Sequence, residues 1–171
     1  MSCWDRKGNE SLALPWKDRY NNPRLSPDGS RVSVDIGSAD SMGDVWVFER
    51  GRSVGTRITA EEGREFGAEW TPDGRELIFS SYRPFFDLYR RTADATHAAE
   101  PLLTGGWDHY TGSVSRDGSL FAFVLAAPGG ELWTVPLRSR PVASRYVANG
   151  FNLGHPTLSP DAPRPMASAF S

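Results

Sequence analysis

The feature that most constrains this chain is a short turn signature that returns at a nearly constant distance. Its aspartates are Asp28, Asp73, Asp117 and Asp161, which are separated by 45, 44 and 44 residues. A run of β-forming residues follows the turn, as in Arg31 to Ile36. A fixed period of this length is typical of propellers and solenoid arrays, so the sequence predicts a repeat protein.

Each repeat divides into four strand-like segments, A to D. The turn between A and B is Ser-Pro-Asp-Gly in the first repeat, Thr-Pro-Asp-Gly in the second and Ser-Arg-Asp-Gly in the third. Pro presets φ, Asp bonds the backbone ahead and Gly accepts a positive φ, so the turn aspartates are expected to be structural. An aromatic residue recurs in strand C and is expected to pack between blades. These aromatic residues are Trp4, Trp46, Tyr89 and Trp133.

The predicted fold class is therefore all-β: a β-propeller of four-stranded antiparallel blades, with three whole blades plus two complementary half-blades. The whole chain, 1–171, forms a single domain in this interpretation. The expected units are a half-blade at 1–15, blades at about 20–60, 65–105 and 109–149, and a half-blade at 154–171.

Composition excludes several functional classes. The net charge of -2 and the pI near 5.9 argue against a nucleic-acid partner, which would require a basic face. No apolar run approaches the length of a membrane span, and the N-terminus lacks the apolar core of a signal peptide, which makes cytoplasmic the default expectation. The single Cys3 cannot form an internal disulfide.

Two stretches carry a family resemblance. Leu25 to Gly29 with Asp44-Val45-Trp46, and Trp70 to Ser81 with Asp87-Leu88-Tyr89, resemble the β-propeller repeat of the TolB family. Similar repeats occur in the propellers of prolyl-oligopeptidase-type peptidases and in kinase-associated bacterial propellers. The resemblance implies a propeller and a binding or scaffolding role, but propellers host many unrelated activities.

The last repeat departs from this pattern. Ala162 replaces the turn glycine, and Pro163 and Pro165 cannot donate ladder hydrogen bonds. We therefore expect either a frayed final half-blade or a chain that is a fragment of a longer protein. A second motif, Gly51 to Gly55, matches the Gly-x-Ser-x-Gly nucleophile pattern but lies between strands C and D with no helix after it, which indicates an incidental turn.

The D–A and B–C loops are expected to open on one face, around the channel mouth. The candidate binding residues there are Asp18, Arg19, Tyr20, Glu65, Arg83, Trp107, Asp108, His109, Tyr110 and His155. Imidazole with carboxylate suits zinc, whereas carboxylates alone suit calcium, so a divalent metal is a candidate cofactor. Its candidate ligands are His109, His155, Glu65 and Asp108.

The leading functional hypothesis is a binding module that presents this face to a protein or peptide partner. The alternative is a metal-dependent hydrolase of the esterase, lactonase or phosphotriesterase type, with a metal at the channel mouth that activates water. A third hypothesis is a sugar-binding propeller with Trp107 and Tyr110 as stacking platforms.

The two half-blades also suggest an assembly. Unpaired, they would leave strand edges that invite pairing with another chain. A head-to-tail homodimer that shares split blades would form a ring of roughly eight blades, whereas a self-closing monomer would have roughly four, both within the range of known propellers. The dimer is preferred because TolB-like blades are shaped for larger rings.

Overall fold

The computed structural model describes residues 2–4, 7–8, 10–12, 19–37, 43–61, 63–128, 130–148, 156–159 and 165–166. Their regular structure consists of short strands. In chain order these are β1 Ser2–Trp4, β2 Glu10–Leu12, β3 Tyr20–Leu25, β4 Arg31–Ile36, β5 Asp44–Glu49, β6 Gly55–Arg57, β7 Glu65–Trp70, β8 Glu76–Tyr82, β9 Phe86–Thr92, β10 Glu100–Leu103, β11 His109–Val114, β12 Leu120–Leu125, β13 Glu131–Pro136, β14 Ser144–Ala148, β15 Thr157–Leu158 and β16 Pro165–Met166.

Three four-stranded antiparallel sheets form the centre of the chain, and each follows the chain order of its strands. Blade 1 consists of β3 to β6, blade 2 of β7 to β10 and blade 3 of β11 to β14. The pairs β1–β2 and β15–β16 form two-stranded sheets. This arrangement confirms the predicted fold class of propeller blades, three whole and two half. Within the described part of the chain, no helix is long and apolar enough to cross a membrane.

The boundaries differ from the expected ones mainly at the outer strands. Blade 1 is predicted to extend to about residue 60, whereas its last strand, β6, ends at Arg57. The chain nevertheless stays beside β5, because the Ile58 amide donates to the Val45 carbonyl at 2.8 Å and the Val45 amide donates to Thr59 Oγ1 at 2.9 Å. A side-chain acceptor thus replaces a regular ladder bond at the end of the strand.

The turns between strands A and B match the structural role expected for their aspartates. In the turn of blade 2, Asp73 Oδ1 accepts hydrogen bonds from Thr71 Oγ1 at 2.7 Å and from the Arg75 amide at 3.0 Å. These bonds, that from Thr71 first, lower the pKa of Asp73. Gly74 follows with φ of 68°, the left-handed conformation the turn requires. Asp28 and Asp117 accept the corresponding bonds in blades 1 and 3.

The main cores lie between successive blades. Blade 1 packs on blade 2 through one buried apolar cluster, which consists of Val45, Val47, Ile58, Ala68, Trp70, Leu77, Phe79 and Ala93. A second cluster joins blade 2 to blade 3, and it consists of Ile78, Leu88, Leu102, Phe121, Phe123 and Val135. Tyr89 packs against the first cluster and Trp133 against the second, as expected for the strand-C aromatic residues.

The A strand of each whole blade carries an irregularity near its middle. The register of β3 shifts between Asn21 and Arg24, that of β7 between Phe66 and Glu69, and that of β11 between Thr111 and Ser113. Such bulges bend a strand and redirect its side chains. Gly67 occupies the bulge of β7 with φ of 69°, and a Cβ there would lie 2.2 Å from Thr111 Oγ1 of blade 3.

Candidate functional site

The B–C and D–A loops lie at the end of the blades where each A strand begins and each B strand ends. We call this end the loop face; between blades 2 and 3 it includes residues 82–86 and 104–110. Three large side chains on it are exposed: Tyr82 at 46%, Phe85 at 49% and Trp107 at 49%. We call these three residues the aromatic surface. They are the largest apolar groups that the described part of the loop face offers to a ligand.

A group of packed rings, with the buried Phe86 at its centre, lies against Tyr82. Phe86 lies 5.0 Å from Tyr82, 5.0 Å from Phe66 and 5.7 Å from Tyr110, measured between ring centroids. Asp108 connects the two loops, because its Oδ1 accepts from the Phe86 amide at 2.9 Å and its Oδ2 accepts from the Tyr110 hydroxyl at 3.4 Å. Tyr82 therefore rests on packed rings, and the bond from the Phe86 amide to Asp108 joins the loop that carries Phe85 to the loop that carries Trp107.

His109 is buried rather than displayed on the loop face. Its side chain is 4% exposed, and its Nδ1 lies 3.1 Å from the Phe86 carbonyl oxygen and 3.6 Å from Asp87 Oδ1. A carbonyl oxygen can only accept, so Nδ1 carries the proton in this bond. Burial lowers the pKa of His109, which favours the neutral ring and leaves Nε2 with its lone pair.

Glu65 is also fully buried, at the first position of β7. Its Oε1 accepts from the Ser81 hydroxyl at 2.9 Å, and its Oε2 has no hydrogen-bond partner among the described residues. Burial raises the pKa of Glu65, while the Ser81 bond opposes the rise. Ser81 Oγ also accepts from Arg83 Nε at 3.2 Å, and the Arg83 guanidinium lies 4.6 Å from the centroid of the Tyr89 ring.

A further carboxylate, Asp35, has the same character and was missed from the sequence. It is 3% exposed; its Oδ2 accepts from Asn22 Nδ2 at 2.7 Å and from the Gly67 amide at 3.0 Å. Its Oδ1 has no partner in the described part of the chain. Burial raises the pKa of Asp35 to about 6. The available sequence signal was its position, because Asp35 is a carboxylate at the fifth residue of the predicted B strand Arg31–Ile36.

Asp35 lines a cavity of about 340 Å³ between blades 1 and 2. We call it the Asp35 cavity, and its lining residues are Asn21, Asn22, Asp35, Gly43 and Phe66. The bulge of β3 places the two asparagines on this wall, with Asn22 at φ of 47°. The cavity thus combines amide groups, one carboxylate and one aromatic ring.

The remaining predicted site residues are dispersed. Arg19 is exposed, and the Tyr20 ring packs edge-on against Phe48 at 6.5 Å. Asp18 and His155 lie outside the described residues. Trp107, Asp108 and Tyr110 adjoin His109 in the chain, and the Tyr110 hydroxyl donates to Asp108 Oδ2 at 3.4 Å. Among the residues that the structure describes, no three His, Cys, Asp or Glu side chains are grouped to hold a metal ion.

Comparisons with known proteins agree on the fold. No protein-family model matches the chain. A putative TolB from Agrobacterium tumefaciens superimposes with a TM-score of 0.64 at 20% identity, over 76% of this chain and 49% of that one. The chain has the blade fold of TolB-like β-propellers. It spans about half the length of that TolB chain.

Two further solved structures superimpose on this chain. A chain of the nidogen–laminin complex matches with a TM-score of 0.65 at 12% identity, over 81% of this chain and 51% of that one. The calcium-binding protein regucalcin from Agrobacterium tumefaciens matches with a TM-score of 0.68 at 17% identity, over 97% and 60%. These identities establish similarity of fold alone.

One curated relative matches in sequence over a shorter region. An uncharacterized protein of Agrobacterium fabrum, Atu1656, is 38% identical over 58 residues, which are 34% of this chain and 20% of that protein. The TolB-like blades therefore establish the fold, and the function must be inferred from the side chains that the blades position.

Proposed function

We propose that this chain is a propeller binding module whose loop face holds a protein or peptide partner. The observation that carries the proposal is the aromatic surface of Tyr82, Phe85 and Trp107, each nearly half exposed. Aromatic residues are enriched in protein interfaces because they bury a large area at a small cost in side-chain entropy.

The hydrogen bond that joins the two loops supports the same role. Asp108 fixes the loop before β11 to the loop before β9, so the surface does not need to order itself when a partner binds. The nidogen–laminin neighbour comes from a protein–protein complex, which is compatible with partner binding by this kind of blade.

A peptide-display selection tests the proposal. Peptides selected on the immobilised wild-type protein would be measured by calorimetry against the double variant Phe85→Ser/Trp107→Ser. We expect at least tenfold weaker binding, because the loss of one buried aromatic anchor commonly costs about 2 kcal/mol. The matched control is Val54→Ser/Val142→Ser, which removes two exposed apolar side chains from C–D loops at the opposite end of the blades.

The control variant should bind the selected peptides as the wild type does. Equal affinity of all three proteins would contradict a role for the aromatic surface. Selective binding of oligosaccharides in place of peptides, again lost with Trp107, would favour the sugar-binding alternative instead.

The second candidate function is a metal-dependent hydrolase. The observation that favours it is the free Oε2 of Glu65, because a carboxylate oxygen without a partner can serve as a metal ligand. Elemental analysis of the purified protein, followed by ester, lactone and phosphotriester assays with and without chelator, tests it. We expect a stoichiometric metal and chelator-sensitive turnover if this function holds.

For the assembly, we propose that a second copy completes the two-stranded sheets. Each such sheet has strand edges that can accept further strands. In a longer chain, strands of the same polypeptide would fill this role. Light scattering at micromolar concentration tests the dimer, and a mass near 18.9 kDa would reject it.

A further inference from the structure

Acidic side chains are concentrated where blade 1 meets blade 2, and most are neutralised by arginine. Three carboxylates there form ion pairs with arginine. One pair joins blade 1 to blade 2, and another joins blade 2 to the loop between these blades. These pairs are Arg57–Asp44 at 2.6 Å, Arg91–Glu61 at 3.3 Å and Arg24–Glu69 at 2.5 Å. Asp35 and Glu65 form no ion pair in the described part of the chain, although they are the most deeply buried of the group.

Each of these two carboxylates also keeps one oxygen without a hydrogen-bond partner, Oδ1 of Asp35 and Oε2 of Glu65. An isolated buried charge is costly unless a counter-ion or hydrogen bonds compensate it. The second oxygen of Asp35 accepts two hydrogen bonds, whereas the second oxygen of Glu65 accepts one, and Asp35 lines a cavity. The unpartnered Oδ1 of Asp35 is therefore a buried acceptor beside a space that a ligand can fill, and one layer of lining side chains separates it from that space.

The blade architecture itself does not require this carboxylate. In the sheet register, Asp35 pairs with Asn21 as Ser80 pairs with Phe66 in blade 2. Ser80 is neutral and donates to the His109 carbonyl of blade 3 at 2.9 Å, which satisfies it. Asp35 contacts the next A strand by accepting from the Gly67 amide, and in blade 2 a neutral hydroxyl makes the equivalent contact, so the contact itself does not require a charge.

We propose that the Asp35 cavity binds a primary ammonium group, with Asp35 as its counter-ion. Asp35 Oδ1 supplies a charged acceptor, Asn21 and Asn22 supply amide oxygens, and Phe66 supplies a ring whose face attracts a cation. Asp35 Oδ1 is shielded from solvent, so the entering group displaces a lining side chain, and the exposed Asn21 has room to move.

The lining residues favour an ammonium group over a divalent metal. Calcium takes about six to eight oxygen ligands, and zinc takes about four nitrogen, sulfur or oxygen ligands. The Asp35 cavity offers a single carboxylate, and one of its walls is the Phe66 ring. A monovalent organic cation matches one carboxylate oxygen and an aromatic wall.

Two sources share this chemistry: a lysine side chain of a peptide partner and a free alkylamine. The first deepens the proposed function and rests on it, whereas the second stands without it. Both require the same contacts with Asp35, so one titration tests the cavity and a second identifies the source.

The first titration uses n-butylammonium chloride and follows backbone amide resonances of the intact chain by NMR. We expect saturable shifts at Asn22 and Gly67, which contact Asp35. n-Butanol, of similar shape but neutral, should cause none. Asp35→Asn should weaken butylammonium binding at least tenfold, whereas Glu100→Gln, a change at an exposed carboxylate paired with Arg90, should leave it unchanged.

Phe66→Leu provides a second variant should Asp35→Asn fail to fold, and it should weaken butylammonium binding several-fold by removing the aromatic wall. The absence of saturable shifts in the wild type, or equal binding by wild type and Asp35→Asn, would overturn the proposal. Displacement of butylammonium by micromolar calcium chloride would also overturn it, because the cavity would then be a metal site.

The second titration compares a capped Gly-Lys-Gly peptide with its acetyl-lysine counterpart. Binding of the lysine peptide alone supports a partner's lysine as the ligand. Binding of butylammonium without the lysine peptide supports a free amine and retains the Asp35 cavity. Phe85→Ser/Trp107→Ser should lose selected peptides while still binding butylammonium, so failure of the proposed function is distinguishable from failure of the cavity proposal.

Discussion

The contact between blades 1 and 2 and the contact between blades 2 and 3 share one backbone plan and differ in charge. At the second contact, Ser80 and His109 each make a hydrogen bond across to the neighbouring blade. At the first contact, the corresponding positions are Asp35 and Glu65, and each keeps one oxygen without a partner. The repeat determines where these side chains lie, while their chemistry varies from blade to blade.

This difference distinguishes polar side chains that serve the fold from polar side chains that are candidates for ligand binding. Ser80 Oγ and His109 Nδ1 both find hydrogen-bond partners in the neighbouring blade, so the fold itself accounts for these two groups. The carboxylates between blades 1 and 2 raise the energy of the folded chain because their charge is buried and incompletely compensated. Such a cost is reasonable where a cationic ligand supplies the missing charge.

The largest loss of stability is expected from a substitution that disturbs both contacts, the one between blades 1 and 2 and the one between blades 2 and 3. Gly67 donates its amide to Asp35 of blade 1, and a Cβ added to it would lie 2.2 Å from Thr111 Oγ1 of blade 3. Gly67→Ala should therefore lower the free energy of unfolding by about 4 kcal/mol, from backbone strain and overpacking together. Urea denaturation followed by tryptophan fluorescence measures it.

The matched control for that variant is Gly29→Ala. Gly29 has nearly the same φ, 71° against 69°, but nothing lies within 4 Å of its added Cβ. It should lose only the strain, about 1 to 2 kcal/mol. Equal losses at the two glycines would show that the contact with Thr111 adjusts freely and does not hold the blades in register.

The second prediction concerns how the free energy of unfolding depends on pH through the buried carboxylates between blades 1 and 2. Asp35 has a folded-state pKa of about 6 against an ordinary 3.8, because it is buried. The folded chain then holds a proton that the unfolded chain has lost, so the free energy of unfolding falls as pH rises from 4 to 7. We expect a loss of about 2 kcal/mol from Asp35 over this range.

Thermal denaturation from pH 4 to pH 7 checks this dependence in the wild type and in Asp35→Asn. The stability of the variant should depend less steeply on pH, because the contribution of Asp35 is absent. Glu69 adds a slope of the same sign, since burial raises its pKa to about 6 beside Arg24, and it should persist in the variant. Identical slopes in both proteins would mean that Asp35 does not titrate in this range.

The repeat period predicted the blades, the turns and the aromatic packing well because these features depend on contacts within one repeat or between identical positions. Trp133 and Asp73 behave as the pattern indicates. The candidate site was predictable only as a set of loops. His109 and Glu65 do begin A strands, but they are buried beneath the loop face, a depth that depends on how neighbouring blades pack.

Asp35 was not predictable in the same way. The sequence of Arg31–Ile36 predicts a strand rich in apolar and β-forming residues. The burial of Asp35 in that strand depends on the bulges of β3 and β7, because they place Asn22 and Gly67 beside its carboxylate. A bulge has no clear sequence signal when the residue involved is asparagine in one repeat and glycine in the next. Comparison of aligned positions, Asp35 with Ser80, would have marked the charge as unusual.

A third and smaller effect tests the neutral contact. Ser80→Ala removes the hydroxyl that donates to the His109 carbonyl, within a region where Ser80 is fully buried. Because a buried carbonyl then loses a partner, we expect the free energy of unfolding to fall by about 1.5 kcal/mol. Chemical denaturation measures it, and Ser81→Ala, which removes the hydroxyl facing Glu65, is the comparison within the same strand. No loss in Ser80→Ala would indicate that the apolar cluster alone joins blades 2 and 3.

The smallest expected effect lies in the turns, where the blades do not differ. Asp73→Ala removes the acceptor for Thr71 Oγ1 and the Arg75 amide, and the turn is exposed. It should lower the free energy of unfolding by about 1 kcal/mol. Asp28→Ala should also be destabilising, because blade 1 has the matching bonds. Binding of selected peptides should be unchanged, since the A–B turns lie at the opposite end of the blades from the loop face. Loss of peptide binding in Asp73→Ala at an unchanged melting temperature would move the functional surface to that end and remove the basis for assigning it to the aromatic surface.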